Sequence, residues 1–171
     1  MNQKKNVDSI FYQLQQIMSI KTVLADASSL IYLDKLGILP KLNQIIKLLS
    51  ITEVIIEIGE KIPTTCTIKV LPSLDQNKEY AGLSTDRKLV FQAVSGHYCV
   101  LADDRRILRA CIGSGLSAHA AIIMVALLYF HSLISLEEYS VYRSELADFA
   151  RYDPDLLAYA DELCFMFGKY F

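Results

Sequence analysis

The spacing of hydrophobic positions changes several times along the chain, and each change marks an element. Up to Ile20 the sequence is polar with apolar points at Ile10, Phe11, Leu14, Ile17 and Met18, the spacing of a short amphipathic helix that packs on the domain or on a partner. At Lys21 the period breaks. Thr22-Val23-Leu24-Ala25 is a short apolar run that ends on Asp26 and is followed by Ala27-Ser28-Ser29. This predicts a buried strand running into a helix capped by a serine. Helical spacing then covers Ser29 to Leu36 and Leu39 to Leu49, with Gly37 and Pro40 at the break between them. A second strand is expected over Leu48 to Ile51, with Thr52 as the N-cap of a helix that carries Glu53 and Glu57.

Thr67 to Leu71 alternates and is closed by Pro72, a third strand, and the polar stretch from Pro72 to Gly82 reads as a loop. Ser84 caps a predicted helix from Thr85 to about Ser95, stopped by Gly96. Tyr98 to Ala102 is a further apolar strand that ends in Asp103-Asp104, and Arg105 to Ile112 is helical up to Gly113 and Gly115. The run AAIIMVALLYF from Ala120 to Phe130 is apolar throughout but eleven residues long. A bilayer-spanning helix needs about 20, so a buried helix is expected. Ser135 with Glu138 forms a capping box for a helix to Ala150, and Asp153-Pro154 opens the last helix. Strands alternating with helices imply an α/β fold with a parallel sheet and a helical C-terminal region. The expected organisation is an N-terminal helical extension, 1–20, and one domain, 21–171.

Composition narrows the function classes only a little. With 53% hydrophobic and 21% charged residues, the 171-residue chain can bury a sizeable core. The four cysteines are scattered without a CxxC pair, and the three histidines have no partner at ligand spacing, which argues against structural zinc. Cysteines inside apolar stretches read as core residues in a reducing compartment, and the N-terminus lacks the apolar run of a secretory signal. A cytoplasmic protein without a membrane anchor is expected. The formal net charge of −2 offers no global attraction to nucleic acid, so a nucleic-acid enzyme would need a local basic patch beside an acidic centre.

The acids carry the chemistry. Two apolar strands end directly in aspartate, VLAD at Asp26 and CVLADD at Asp103-Asp104, and ligands of parallel α/β sheets bind outside the carboxyl ends of the strands. Glu57 and Asp86 lie on helical segments that begin just after connecting loops and can be aimed at the same cleft. Converging carboxylates raise one another's pKa unless a cation is present. Hard oxygen ligands without Cys or His suit Mg²⁺ or Mn²⁺, which activate water and stabilise charge on a phosphodiester. The competing reading of each acid is a helix cap, a turn residue or a solvated surface position. Asp103 and Asp104 are adjacent, and on extended chain they point to opposite sides.

In this order, the motifs resemble the PIN-domain family, the fold of VapC-type toxins of toxin–antitoxin systems, from about Thr22 to Gly115. VLADASSLIYLDKLGIL is similar to the family's first strand, aspartate and small hydroxyl residue, here Asp26 and Ser28. ITEVIIEIG is similar to the motif that places a glutamate three residues after a valine, here Glu57 rather than Glu53. LSTDRKLVFQA resembles the helix start with the third acid, Asp86. CVLADDRRILRACIGSGL resembles the last strand and acid, Asp104, with Asp103 as neighbour or substitute. The sequence departs from the family at Ala102, where many relatives carry a threonine, and at Thr52, where a proline is common.

The resemblance implies a PIN-like three-layer fold and a metal-dependent endoribonuclease, the toxin of a toxin–antitoxin pair. Its metal site would comprise Asp26, Glu57, Asp86, Asp104 and Asp103, supported by Ser28. Its partners would be an RNA substrate, an antitoxin protein and a second copy in a homodimer. RNA would be held by cations near the cleft, Arg87, Lys88, Arg105 and Arg106 being nearest in sequence. The alternative is a non-catalytic PIN-like protein-interaction module. A small-molecule phosphohydrolase or a receiver-like phosphoacceptor ranks last, because the paired aspartates come late in the chain.

Overall fold

The computed structural model describes residues 2–59, 66–76 and 80–171, with side chains from residue 9 onward except at Gln76. It divides into two compact units, one of residues 21–121 and one of residues 1–20 with 122–171. The break after Ile20 falls where the hydrophobic period changes. The C-terminal helices group with the N-terminal helix, however, whereas the sequence pattern placed them with the sheet.

The first unit is α/β, with helices on both faces of a five-stranded, wholly parallel sheet in the order β3-β2-β1-β4-β5. The strands are β1 (Thr22–Ala25), β2 (Lys47–Ile51), β3 (Ile68–Leu71), β4 (Cys99–Leu101) and β5 (Ala118–His119). Its helices are α2 (Ala27–Lys35), the single turn α3 (Leu39–Leu42), α4 (Thr52–Ile58), α5 (Thr85–Gly96) and α6 (Arg105–Gly113). The path β1-β2-β3 moves outward in one direction, and right-handed crossovers then put α2 and α4 on one face, where they pack together. The chain returns through α5 to β4 on the other side of β1 and moves outward again through α6 to β5. This places α5 against α6 on the opposite face. The winding reverses between β1 and β4, which pair in register as Val23 with Cys99 and Ala25 with Leu101.

A strand covered on both faces must be apolar throughout. Val23, Leu24 and Ala25 are completely buried, as are Val100 and Leu101. The edge strand β3 is cheaper to expose, and Lys69 and Val70 lie at the surface there.

Several local expectations are corrected. The helix expected over Leu39–Leu49 stops at Leu42, because Lys47 to Leu49 are claimed by pairing with Thr22 to Leu24 of β1. The cap of α2 is Asp26 rather than a serine, with its carboxylate accepting from the Ser29 backbone N–H at 2.8 Å. Thr52 is not the cap of α4; its hydroxyl donates to the Leu71 carbonyl at 3.1 Å and ties α4 to β3. The loop from Pro72 contains a 3₁₀ turn over Leu74–Gln76, and its residues 77–79 lie outside the described residues. Strand β5 went unforeseen, since two residues carry no alternation. The breaks at Gly37 and Gly115 hold, and both glycines take the left-handed backbone, φ 66° and 78°, which other residues rarely adopt.

The second unit contains α1 (Asn2–Met18), α8 (Leu136–Ala150), α9 (Pro154–Tyr170) and most of α7 (Ala121–Phe130). The apolar points of α1 predicted its buried stripe: Ile10, Leu14 and Ile17 are buried. Phe11 meets the ring of Tyr170 edge-on at 4.9 Å, and Phe167 packs against Tyr129, Phe130 and Phe171. The Ser135–Glu138 capping box of α8 and the Asp153 cap with Pro154 on α9 are both present. Among the described residues no helix is long and apolar enough to cross a membrane.

Candidate functional site

The carboxyl ends of β1 and β4 lie side by side, joined by the Asp26 N–H donating to the Leu101 carbonyl at 2.9 Å. Here the chain exits β1 toward one face of the sheet and β4 toward the other, and the diverging connections leave a crevice. A cavity of about 310 Å³ opens there, lined by Asp26, Ser28, Glu57, Asp86 and Asp104, with Thr85 and Arg106 at its polar wall. Val54, Leu89 and Ile107 form its apolar floor. Four acids from four separate segments therefore face one space. β1 delivers Asp26, the last turn of α4 Glu57, the first turn of α5 Asp86, and the end of β4 Asp104.

Each acid is held differently. Asp26 is 5% exposed. One oxygen accepts from the Ser29 N–H and the other from the Ser28 hydroxyl, both at 2.8 Å. Burial nevertheless outweighs these bonds and raises its pKa above the ordinary 3.8. Asp104 caps α6 through the Arg106 N–H at 2.6 Å, and the Arg106 guanidinium returns to it with Nη2 at 3.0 Å from Oδ2. These Arg106 contacts hold the Asp104 carboxyl below the usual range. The same Nη2 lies 3.9 Å from Asp86 Oδ2, so one guanidinium, 82% exposed at its side chain, serves two of the four acids.

Asp103, the other member of the pair, does not line the cavity. Its carboxylate accepts from the Ser29 hydroxyl at 2.6 Å and from the Ala121 N–H, at the first residue of α7, at 3.1 Å. Adjacent aspartates thus divide their work: Asp104 faces the crevice, and Asp103 joins the start of α2 to the start of α7. Ser29, read from sequence as part of a cap, is a fully buried link between Asp26 and Asp103.

Two further residues resolve by geometry. Glu53, one turn before Glu57, is paired with Lys88 at 3.3 Å and accepts from the Ser73 hydroxyl. Burial acts to raise its pKa, but the Ser73 and Lys88 contacts hold it below the usual glutamate value. Lys88 is buried and donates to Asp75 at 2.6 Å, which removes it from the cations able to reach a ligand. Its sequence signal was indistinguishable from a surface lysine, because Asp75 and Glu53 are remote in sequence. Arg87, Arg105 and Arg106 remain exposed. Ala102 is fully buried and brings no polar group to the site.

The donor set fits a hard divalent cation: every candidate ligand is a carboxylate or hydroxyl oxygen, and neither Cys nor His lines the cavity. The recruitment of Arg106 by two acids expresses negative charge that a cation would balance. The acids share the cavity without forming a ready-made cage, as no three acidic, Cys or His side chains among the described residues stand close enough to hold one ion. No family model matches the chain, and comparison with curated proteins and with solved structures gives no similar protein.

Proposed function

We propose that the α/β unit is a Mg²⁺- or Mn²⁺-dependent ribonuclease of the PIN-like kind, hydrolysing phosphodiester bonds at the crevice between β1 and β4. The observation that carries this reading is the shared cavity of Asp26, Glu57, Asp86 and Asp104 at the point where the winding of the sheet reverses. These four carboxylates would hold one or two ions, which when bound supply water activation and stabilisation of phosphoryl charge. Ser28 keeps Asp26 oriented by donating to it. Asp103 keeps the ends of two elements in place and takes no direct part. Arg106 balances charge on Asp86 and Asp104, and its long exposed side chain can turn toward a phosphate instead.

RNA is the proposed substrate, held in part by the exposed Arg87, Arg105 and Arg106. By the family resemblance, the protein would act as the toxin of a toxin–antitoxin pair and would form a homodimer. A second reading, a non-catalytic PIN-like interaction module, is favoured by the Arg106 pairing and by the net charge of −2.

Two measurements separate them. A nuclease should cleave single-stranded RNA with Mn²⁺ or Mg²⁺, lose cleavage in EDTA, and lose roughly 100-fold or more in Asp26→Asn, the scale seen when a charge-stabilising group is removed. Mn²⁺ should also raise the melting temperature of the wild type more than that of the variant. Full cleavage by purified Asp26→Asn, or the absence of any metal-dependent shift, favours the interaction module.

A further inference from the structure

A second cavity, of about 630 Å³, lies between α5 and α6 and meets the acidic one. Asp86, Arg106 and Ile107 line both, so the two adjoin, with Arg106 at the junction. The second cavity differs sharply in character. On α5 its wall is Val90, Phe91 and Val94, with Arg87 beside them, and on α6 it is Ala110. Phe91 and Val94 are 40% and 39% exposed, on a helix whose other side is buried through Leu89 and Ala93. The Phe91 ring meets Tyr80 at a centroid separation of 4.3 Å, tilted by 47°, and Phe91 lines the groove.

We infer that this groove is a nucleobase subsite: it takes the base of the nucleotide next to the phosphate presented to the acids, stacked on Phe91 with its backbone on Arg87 and Arg106. The inference rests on the ribonuclease reading above and adds how a base beside the scissile phosphate is held. A nucleotide joins a flat, largely apolar ring to an anion. The groove offers an aromatic and aliphatic wall with a guanidinium at its edge and another at its junction with the catalytic cavity. A base in a duplex has both faces covered and cannot stack there. A peptide helix would cover the apolar wall but offer the exposed Arg87 no matching anion, unless it were acidic at that point. Stacking on an aromatic tolerates any base, so the subsite should favour unpaired RNA over a particular sequence.

The test measures binding of a labelled single-stranded RNA tetranucleotide to the full-length protein by anisotropy, with Ca²⁺ as a slow or non-cleaving ion. Phe91→Ala should weaken binding by about 10-fold. Phe91→Tyr should restore it, and the Mn²⁺-induced melting shift should stay unchanged in both. An RNA with one abasic position next to the phosphate should bind the wild type as weakly as intact RNA binds Phe91→Ala. Removing base and ring together should cost no more than removing either one. This arm needs no folded variant for its wild-type half.

Equal binding of intact and abasic RNA to the wild type overturns the subsite. So does intact RNA binding to a folded Phe91→Ala at wild-type strength. Failure of the underlying ribonuclease reading looks different: the wild type then shows neither a Mn²⁺ shift nor RNA binding, and both proposals fall together.

Discussion

The two units treat their acidic residues in opposite ways. In the helical unit three acids have clear local roles. Asp153 caps α9, Glu138 completes the capping box of α8, and Asp161 accepts from the Tyr139 hydroxyl at 3.0 Å and from Arg143 Nη2 at 2.8 Å. Helices pack side against side, so polar groups either stay on the solvent face or find a partner a turn or a helix away. In the α/β unit the strands all point one way, and their carboxyl ends collect whatever residues follow them. Asp26 is buried there with hydroxyl and amide partners, and Asp104 and Asp86 share an exposed arginine. Acids that share one cavity and one exposed arginine are what the binding-site proposal rests on.

The comparison can be broken most forcefully at the sheet. Leu24→Ala removes a fully buried side chain from the central strand and should cost about 2–5 kcal/mol in denaturant unfolding. A cost under 1 kcal/mol would mean that the sheet is not the rigid base on which the acids depend. Asp103→Ala should come next, at about 1–3 kcal/mol, since it strands the Ser29 hydroxyl and the Ala121 N–H. Its effect on metal affinity should be smaller than that of Asp104→Ala, measured by Mn²⁺ titration; the reverse order would return Asp103 to the metal site.

A pair of isosteric changes sharpens the contrast, because the two should differ in sign. Asp161→Asn weakens the ionic contact with Arg143 in the helical unit and should destabilise by about 1 kcal/mol, discounted for partial exposure. Asp26→Asn should stabilise the apo protein at neutral pH. The folded pKa of Asp26 is raised above its unfolded value near 3.8, so its contribution is fully present below 3.8 and is lost as pH rises through the folded value. The advantage of Asp26→Asn should therefore shrink as pH falls toward 4. Melting curves of both proteins from pH 4 to pH 8 decide this, and a gap that widens on acidification refutes the sign. Ser135→Ala should cost a similar amount, about 1 kcal/mol from loss of the α8 cap, with no change in Mn²⁺ binding. A change there would show that the helical unit does influence the site.

Element types were largely readable from the chain because they depend on short-range pattern: apolar runs of strand length, the Ser84 and Ser135 caps, and proline at the start of α9. Where sequence reading failed, a distant partner had overruled local preference. Lys47 to Leu49 continue a helical pattern but pair with β1, and Ala118-His119 becomes a strand only because β4 offers an open edge. Lys88 looked like a surface cation until Glu53 and Asp75 closed on it.

What the sequence determined alone was that aspartates terminate two apolar strands and that further acids open or follow neighbouring helices. Whether those acids meet depends on strand order, since only the placement of β1 beside β4 turns two chain ends into the walls of one crevice. The division between Asp103 and Asp104 was likewise left to tertiary structure. Neighbours on an extended chain point apart, and which one faces the crevice is fixed by the elements packed around them.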